Sequence, residues 1–390
     1  MKRLTILMLA LCFVGSLCAE TRRDLYRVTV DGRRAQCPVV IRDVPDWAVS
    51  AVVRSGGREI PSQFDAPLRE LAFVADVDGT RKFRVEWSSE PARREYPARV
   101  HAQMWLKNED KSLRAVDTVS SDRDNMYHRL HHHGPAFESE YAAYRIYFDK
   151  KQTIDTYGKK SPRLELAETM WYPSDEQLAA GYGHDNLRVF GSVGVGTLKG
   201  WDAAKNRMIH ITEFDRREAR IIARGPVRTV VEMAVEGWRY GGRRIGMVSR
   251  YILYAGHSDV QVVNSITGDC DGLLFTTGVM KMAGNSFLRM GNAMAAVGCD
   301  FPENDTLKWE RERVALAVAV PAGQVRADAE DKTSYLWLLA PDEHGHIDYV
   351  FDMWWRKSRW LEGVSDEAML TGVLDAVRRA ASPVRVERLR

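Results

Sequence analysis

Apolar and polar residues alternate with a period of two along most of this chain, in short runs broken by glycine-containing turns. Residues 26–30 run into Asp31-Gly32, residues 48–53 into Ser55-Gly56-Gly57, and residues 71–75 and 82–87 flank Asp78-Gly79. Short strands at this spacing predict a small N-terminal β-sandwich over residues 20–95. Residues 91–97, dense in Arg and Pro, read as a linker. From residue 98 the strands lengthen. In residues 226–236, Val227, Thr229, Val231, Met233 and Val235 share one face, while Arg228, Glu232 and Glu236 share the other. Tyr240-Gly241-Gly242-Arg243 turns the chain into a further strand over 244–254, and 259–266 continues the pattern. Residues 98–390 therefore predict a large antiparallel sandwich with one buried face per strand. Two helices interrupt the β pattern. A short one starts at Ser174. A longer one spans 365–381, with Ser365 as N-cap, an apolar stripe of Met369, Leu370, Val373, Leu374 and Val377, and Arg378 and Arg379 in its last turn. The fold class is all-β with one C-terminal helix.

Composition adds location more than chemistry. Lys2 and Arg3 precede an apolar run over 4–14 that is too short to span a bilayer, and Leu17-Cys18-Ala19 offers a cleavage site before Glu20. Residues 1–19 are thus expected to be an export signal, and the protein to be secreted or periplasmic with no membrane association after its removal. Acylation at Cys18 is disfavoured, because Leu17 is not the small residue such a site uses. Of the five cysteines, Cys37, Cys270 and Cys299 remain after the signal, an odd, widely spaced set that predicts reduced thiols rather than a disulfide framework. A net charge of +3 with no polybasic block gives no signal for nucleic-acid binding. Phosphate-loop, dinucleotide and nucleophile-elbow motifs are absent.

The chemistry concentrates in residues 127–149. Four of the ten histidines lie in 127–140, with Glu138 and Glu140 close behind. Imidazoles, carboxylates and a guanidinium resist burial unless paired, so this mixture reads as the floor of a polar cleft for proton transfer or for a polyhydroxylated ligand. Over 138–149, strand alternation puts Tyr141, Arg145, Tyr147 and Asp149 on one face. Ala142, Ile146 and Phe148 lie on the other, with Glu140 and Tyr144. Tyrosine rings suit pyranose faces, and Arg145 suits a carboxylate. Among His131, His132 and His133 at most two rings share a face. No standard metal spacing surrounds them, so no cofactor is expected, with a divalent metal as the alternative. Two further clusters join the candidates: His184 and Asp185 in a glycine-rich turn, and residues 155–160 with Tyr157 and Lys159. Lys281, a lone cation inside an apolar strand, is a candidate for carboxylate binding. Trp354-Trp355 reads as core before sugar platform.

The runs 132–140, 144–149, 154–159 and 183–185 resemble a secreted Bacteroidota family of unknown function whose members lie among genes for pectin and other uronate-polysaccharide breakdown. Gly225-Pro226-Val227-Arg228 and residues 251–260 are similar to late strands of galactose-mutarotase-like sandwiches, found in many polysaccharide lyases and sugar epimerases. Residues 60–63 and 73–76 resemble the small β-domain that precedes exo-acting lyase modules. The resemblance implies β-elimination on a uronate-containing, acidic glycan. Arg145 or Lys281 would neutralise the carboxylate, His133 or His132 would act as base, and Tyr147 or Tyr157 as acid. Glu138, Glu140, Tyr141, Lys159, His184, Asp185 and Lys281 would contact substrate. A glycoside hydrolase using two of Glu138, Glu140, Asp149 and Asp185, a mutarotase or epimerase, and a binding-only protein remain the alternatives.

Overall fold

The structure, a computed structural model, describes residues 20–389; the expected export signal at 1–19 lies outside them. It is all-β, with antiparallel sheets throughout. None of the described helices is long and apolar enough to cross a membrane.

The first sheet has six strands and is dominated by two long ones, Thr21–Ile41 and Glu70–Ser88, which pair along their lengths. The turns predicted at Asp31-Gly32 and Asp78-Gly79 are not chain reversals. Both glycines take positive φ, +63° and +58°, but within continuous strands whose register shifts between Thr29 and Arg33 and again before Cys37. A bulge uses the same glycine conformation as a turn and bends the strand without ending it. Tyr26, Val28, Val39, Phe73, Phe83 and Trp87 form a core of their own in this sheet. The final strand, Arg385–Leu389, pairs with Thr21–Ile41, and Val384 and Val386 pack on that core. The boundary placed at residues 98–390 is therefore corrected at its C-terminal end: the chain returns to the first sheet.

The second unit is a sandwich. One layer is a nine-stranded sheet that includes Arg228–Tyr240, Arg243–Tyr254, Val260–Thr267 and His346–Trp355. The predicted alternation and the Gly241-Gly242 hairpin are both present, and Val231, Met233 and Val235 face the core. The opposing layer consists of two five-stranded sheets joined by single bridges, Ile154–Gly194 and Val195–Val279. Phe137, Tyr144, Ile146 and Ile154 from one of them meet Tyr251, Phe351 and Met353 of the large sheet.

Strands Ala293–Asp300 and Glu312–Ala319 are apolar on both faces because a helix covers the outer one. Ala293, Ala295, Ala315 and Ala317 receive Met369, Val373 and Val377 of Asp366–Ala380, the predicted helix, whose N-cap Ser365 accepts from Ala368 N at 3.2 Å. The short helix Asp175–Ala179 begins at Ser174 with a full capping box. A further short helix, Leu166–Thr169, was not anticipated. All three cysteines in the described chain are free; Cys37 is buried and the other two are half-buried.

The two units meet through polar groups that the sequence had offered as fold markers. Gln63 accepts from Val227 N and Arg228 N at 2.8 and 2.9 Å. The buried Arg228 guanidinium pairs with Asp65 and Glu70 at 2.6 and 2.7 Å. An interface held by a paired buried charge has a fixed geometry, because separating it strands that charge.

Candidate active site

The site is built on the outer face of the sheet whose strand order is His184–Asp185, Ile154–Gly158, Ala142–Ile146, Ala136–Ser139, Val100–Gln103. Register sets Arg145 opposite Asp155, and Tyr157 opposite both Ala143 and Asp185. Directly opposed residues share a face, so Arg145, Asp155 and Asp185 point the same way. Ala142, Tyr144, Ile146 and Phe148 point into the main core.

Arg145 is buried, and its guanidinium is the hub. Nη2 donates to Asp155 Oδ2 at 2.7 Å, to Asp185 Oδ2 at 2.8 Å and to Tyr147 Oη at 2.7 Å. Nε reaches Asp155 Oδ2 at 3.0 Å, and Nη1 donates to Tyr172 Oη at 3.0 Å. Trp171 lies against the guanidinium at 4.5 Å and donates from Nε1 to Asp185 Oδ2 at 3.1 Å. Burial and the neighbouring Asp155 push the Asp185 carboxyl well above the usual carboxylate range, against the pull of Arg145. One guanidinium thus faces two carboxyl groups, and Asp185 is the one whose charged form burial disfavours.

Above this base lies a partly exposed ring cluster. Tyr127 stacks on His133 with centroids 3.5 Å apart, and Tyr147 is 5.5 Å from Tyr127. His133 has φ of +65°, which turns its ring so that Nδ1 lies 2.9 Å from Tyr127 O. A carbonyl only accepts, so Nδ1 carries the proton and Nε2 the lone pair. Nε2 faces Tyr172 Oη at 3.0 Å, so the phenol donates to it while accepting from Arg145. Burial pushes the His133 imidazole down to about 4, which leaves it neutral at ordinary pH. Burial also raises the Tyr172 phenol, with Arg145 opposing that shift. Tyr172 is nonetheless 41% exposed. A neutral imidazole and a partly exposed phenol over a buried guanidinium can move a proton to or from a bound ligand and stabilise the phenolate formed on the way.

The cluster gathers Arg145, Tyr147, His133 and Asp185 from the sequence-predicted set and leaves the others elsewhere. His132 is fully buried, with Nε2 3.2 Å from Gln103 Nε2, and is corrected from base to core. Tyr157 is fully buried, its Oη 2.9 Å from Glu165 Oε2 and 2.8 Å from Gly183 O, so it is no acid for a ligand. Glu138 and Lys159 form a fully buried ion pair. Glu138 also takes the backbone N–H groups of Glu165 and Leu166 at 2.8 and 2.9 Å, anchoring the start of Leu166–Thr169. Neither touches a ligand from there. Glu140 pairs with Arg99 and accepts from Gly256 N at 2.9 Å, while Tyr141 packs edge-on to Trp360 at 5.0 Å. Lys281 is not a lone cation: Glu330 and the carbonyl of Asp331 hold it at 2.9 and 2.7 Å in another sheet. His184 faces away from its neighbour Asp185, towards Glu312 at 3.5 Å.

Sequence reasoning missed Trp171 and Tyr172. Met170 and Trp171 have φ of +51° and +74°, a left-handed turn after Leu166–Thr169 that carries the Trp-Tyr pair back over Arg145. The available signal was an aromatic pair in a polar segment. Among the described residues, no three His, Cys, Asp or Glu side chains are grouped to hold a metal ion. A cavity of about 830 Å³ lies away from this cluster, between the first sheet and the nine-stranded sheet. Arg42, Asp43 and Asp348 are on its rim, and no tyrosine–histidine pair is among its lining residues.

Fold and site together define an all-β antiparallel sandwich protein carrying a tyrosine–histidine–arginine acid–base cluster on an outer sheet face. The chain belongs to the family described as Domain of unknown function (DUF4861), whose model matches residues 39–386. No curated protein matches it. Among solved structures it is similar to a glycosyl hydrolase family 38 protein from Enterococcus faecalis, with TM-score 0.46, 6% identity, and coverage of 94% of this chain and 47% of that one. It is similar to an alpha-mannosidase from Enterococcus faecalis V583, with TM-score 0.44, 6% identity, and coverage of 94% and 46%. A candidate aldose 1-epimerase from Klebsiella pneumoniae subsp. pneumoniae MGH 78578 gives 0.34, 7%, 71% and 95%. The chain spans about half the length of the first two. Likenesses at these identities concern the path of the chain and say nothing of activity.

Proposed function

We propose that this protein is a carbohydrate-active enzyme that moves a proton through the Tyr172–His133 pair, with its sugar seated against the rings of Tyr127, Tyr147 and Tyr172. The observation that carries the reading is the position of Tyr172 Oη, 3.0 Å from both His133 Nε2 and Arg145 Nη1, on a partly exposed side chain. The first reaction in this reading is β-elimination on a uronate-containing glycan. Tyr172 oxygen takes the proton next to the carboxylate as its own proton passes to His133. The C–H electron pair becomes the new double bond, the glycosidic C–O bond breaks, and the leaving oxygen recovers a proton from the pair. Arg145 stabilises the transient phenolate. With the export signal expected at 1–19, the reaction takes place in the periplasm or outside the cell.

A second reading is favoured by one feature: Arg145 is already matched by Asp155 and offers little charge to a substrate carboxylate. The same proton relay serves a mutarotase or epimerase, which needs no carboxylate partner. A two-carboxylate hydrolase fits less well. Glu138, Glu140 and Asp149 are held by Lys159, Arg99 and backbone amides, and Asp155 and Asp185 both bond to one nitrogen of Arg145 rather than flanking a cleft. The test is incubation with pectic, ulvan and alginate-type oligosaccharides and with free sugars. Ultraviolet-absorbing unsaturated product selects elimination, and anomer or epimer exchange without cleavage selects the second reading. Reducing ends without absorbance, or no conversion of any sugar, contradicts both.

A further inference from the structure

Opposite the Arg145 cluster, on the other side of the same edge strand, lies a second polar group that the proton relay does not use. His184 Nδ1 is 2.6 Å from Asp185 O, so that nitrogen carries the proton and Nε2 the lone pair. Nε2 faces Glu312 Oε1 at 3.5 Å, beyond a good hydrogen bond and with two acceptors opposed. Glu312 is buried and already receives Trp355 Nε1 at 2.9 Å and Lys357 Nζ at 2.7 Å. The ring of Trp309 lies 4.9 Å from His184, tilted by 37°, and its Nε1–H is buried without a partner. Burial lowers the His184 imidazole against the pull of Glu312, in keeping with the neutral ring. An unmatched donor and an unmatched acceptor thus lie beside two aromatic rings, and a buried unpaired polar group is costly until something fills its bonding capacity.

A hydroxyl group completes such a set: it accepts from Trp309 and donates to His184 or Glu312. The segment bearing Trp309 is placed to bring a ligand there. It leaves strand Ala293–Asp300 where Asp300 pairs with Arg188 at 2.6 Å, just beyond the edge strand. It then passes Asp175 of the short helix after Tyr172, with Lys308 Nζ 3.9 Å away. Leu307 at its tip is 98% exposed. The segment therefore touches both His184 and the helix that follows Tyr172.

We propose that Trp309, His184 and Glu312 form a second sugar-hydroxyl subsite, so that the ligand is an oligosaccharide lying across the edge strand at His184-Asp185 rather than a single sugar. This rests on the carbohydrate reading of the Tyr172 site. The test is calorimetric binding of mono-, di- and trigalacturonate, and of the matching alginate-derived series, to the Tyr172→Phe protein, which retains the binding surface. Trp309→Phe, which keeps the ring and removes the N–H, and His184→Gln are then added in that background. Affinity is expected to rise with chain length in the parent. Each added change is expected to weaken di- and trisaccharide binding by about 3- to 10-fold, the scale of one hydrogen bond, and to leave the monosaccharide unaffected. Equal losses at every length, or no loss, overturn the subsite while leaving the Tyr172 reading standing. No binding of any sugar by the parent overturns both.

Discussion

Tyr172 Oη sits 3.0 Å from His133 Nε2, and the tautomer of His133 is fixed by the carbonyl of Tyr127 at its other nitrogen. The imidazole therefore receives the phenol's proton rather than offering one. Beneath the pair, Arg145 is bonded to Tyr172, Tyr147 and two carboxylates at once.

The two carboxylates on Arg145 are not equivalent. Burial and Asp155 raise the Asp185 carboxyl and so disfavour its charged form, and Asp185→Asn, a neutral group of the same shape, is expected to cost no more than about 1.5 kcal/mol. Arg145→Met strands buried acids and is expected to cost about 3–5 kcal/mol. Urea unfolding of both variants checks the order, and an Asp185→Asn loss as large as that of Arg145→Met contradicts it.

Acid stability should report on the histidines. His133 and His210 fall from 6.5 to about 4 on folding, through burial. Below pH 6.5 the unfolded chain takes up protons that the folded chain refuses. Their stabilisation is complete above 6.5 and is lost as pH falls towards 4. His133→Gln is expected to flatten the stability profile across that window by up to one proton relative to wild type. Parallel profiles for the two proteins would count against a neutral, half-buried His133.

Lys159 separates structural from functional charge. Its partner Glu138 is fully buried with it, so Lys159→Met leaves an unpaired carboxylate and is expected to destabilise by about 3–5 kcal/mol. Glycan affinity of the folded fraction is expected to stay at the wild-type value. A stable variant with lost glycan binding would return Lys159 to the ligand.

What the sequence revealed follows from what local pattern can encode. Alternation placed Ala142, Ile146 and Phe148 in the core and Arg145 opposite them, and capping residues delimited the C-terminal helix. Glu138 and Lys159 misled because a buried ion pair and a ligand site draw on the same residue types; only non-local pairing tells them apart. Asp31-Gly32 misled because turn and bulge share a glycine conformation. Tyr172 was invisible because no periodicity places it: two left-handed residues after an unanticipated helical turn do so. Gln63 and Arg228 looked like fold markers and proved to be the clasp between the two units.

Whether Tyr172 and His133 act as one proton-transfer unit is tested most directly by steady-state kinetics of Tyr172→Phe, His133→Gln and the double variant on a converted glycan. Each single change is expected to lower kcat by about 10²- to 10⁴-fold with little change in KM, and the double variant to be no slower than the worse single one. Wild-type kcat in Tyr172→Phe, or losses that multiply in the double variant, would contradict a single unit.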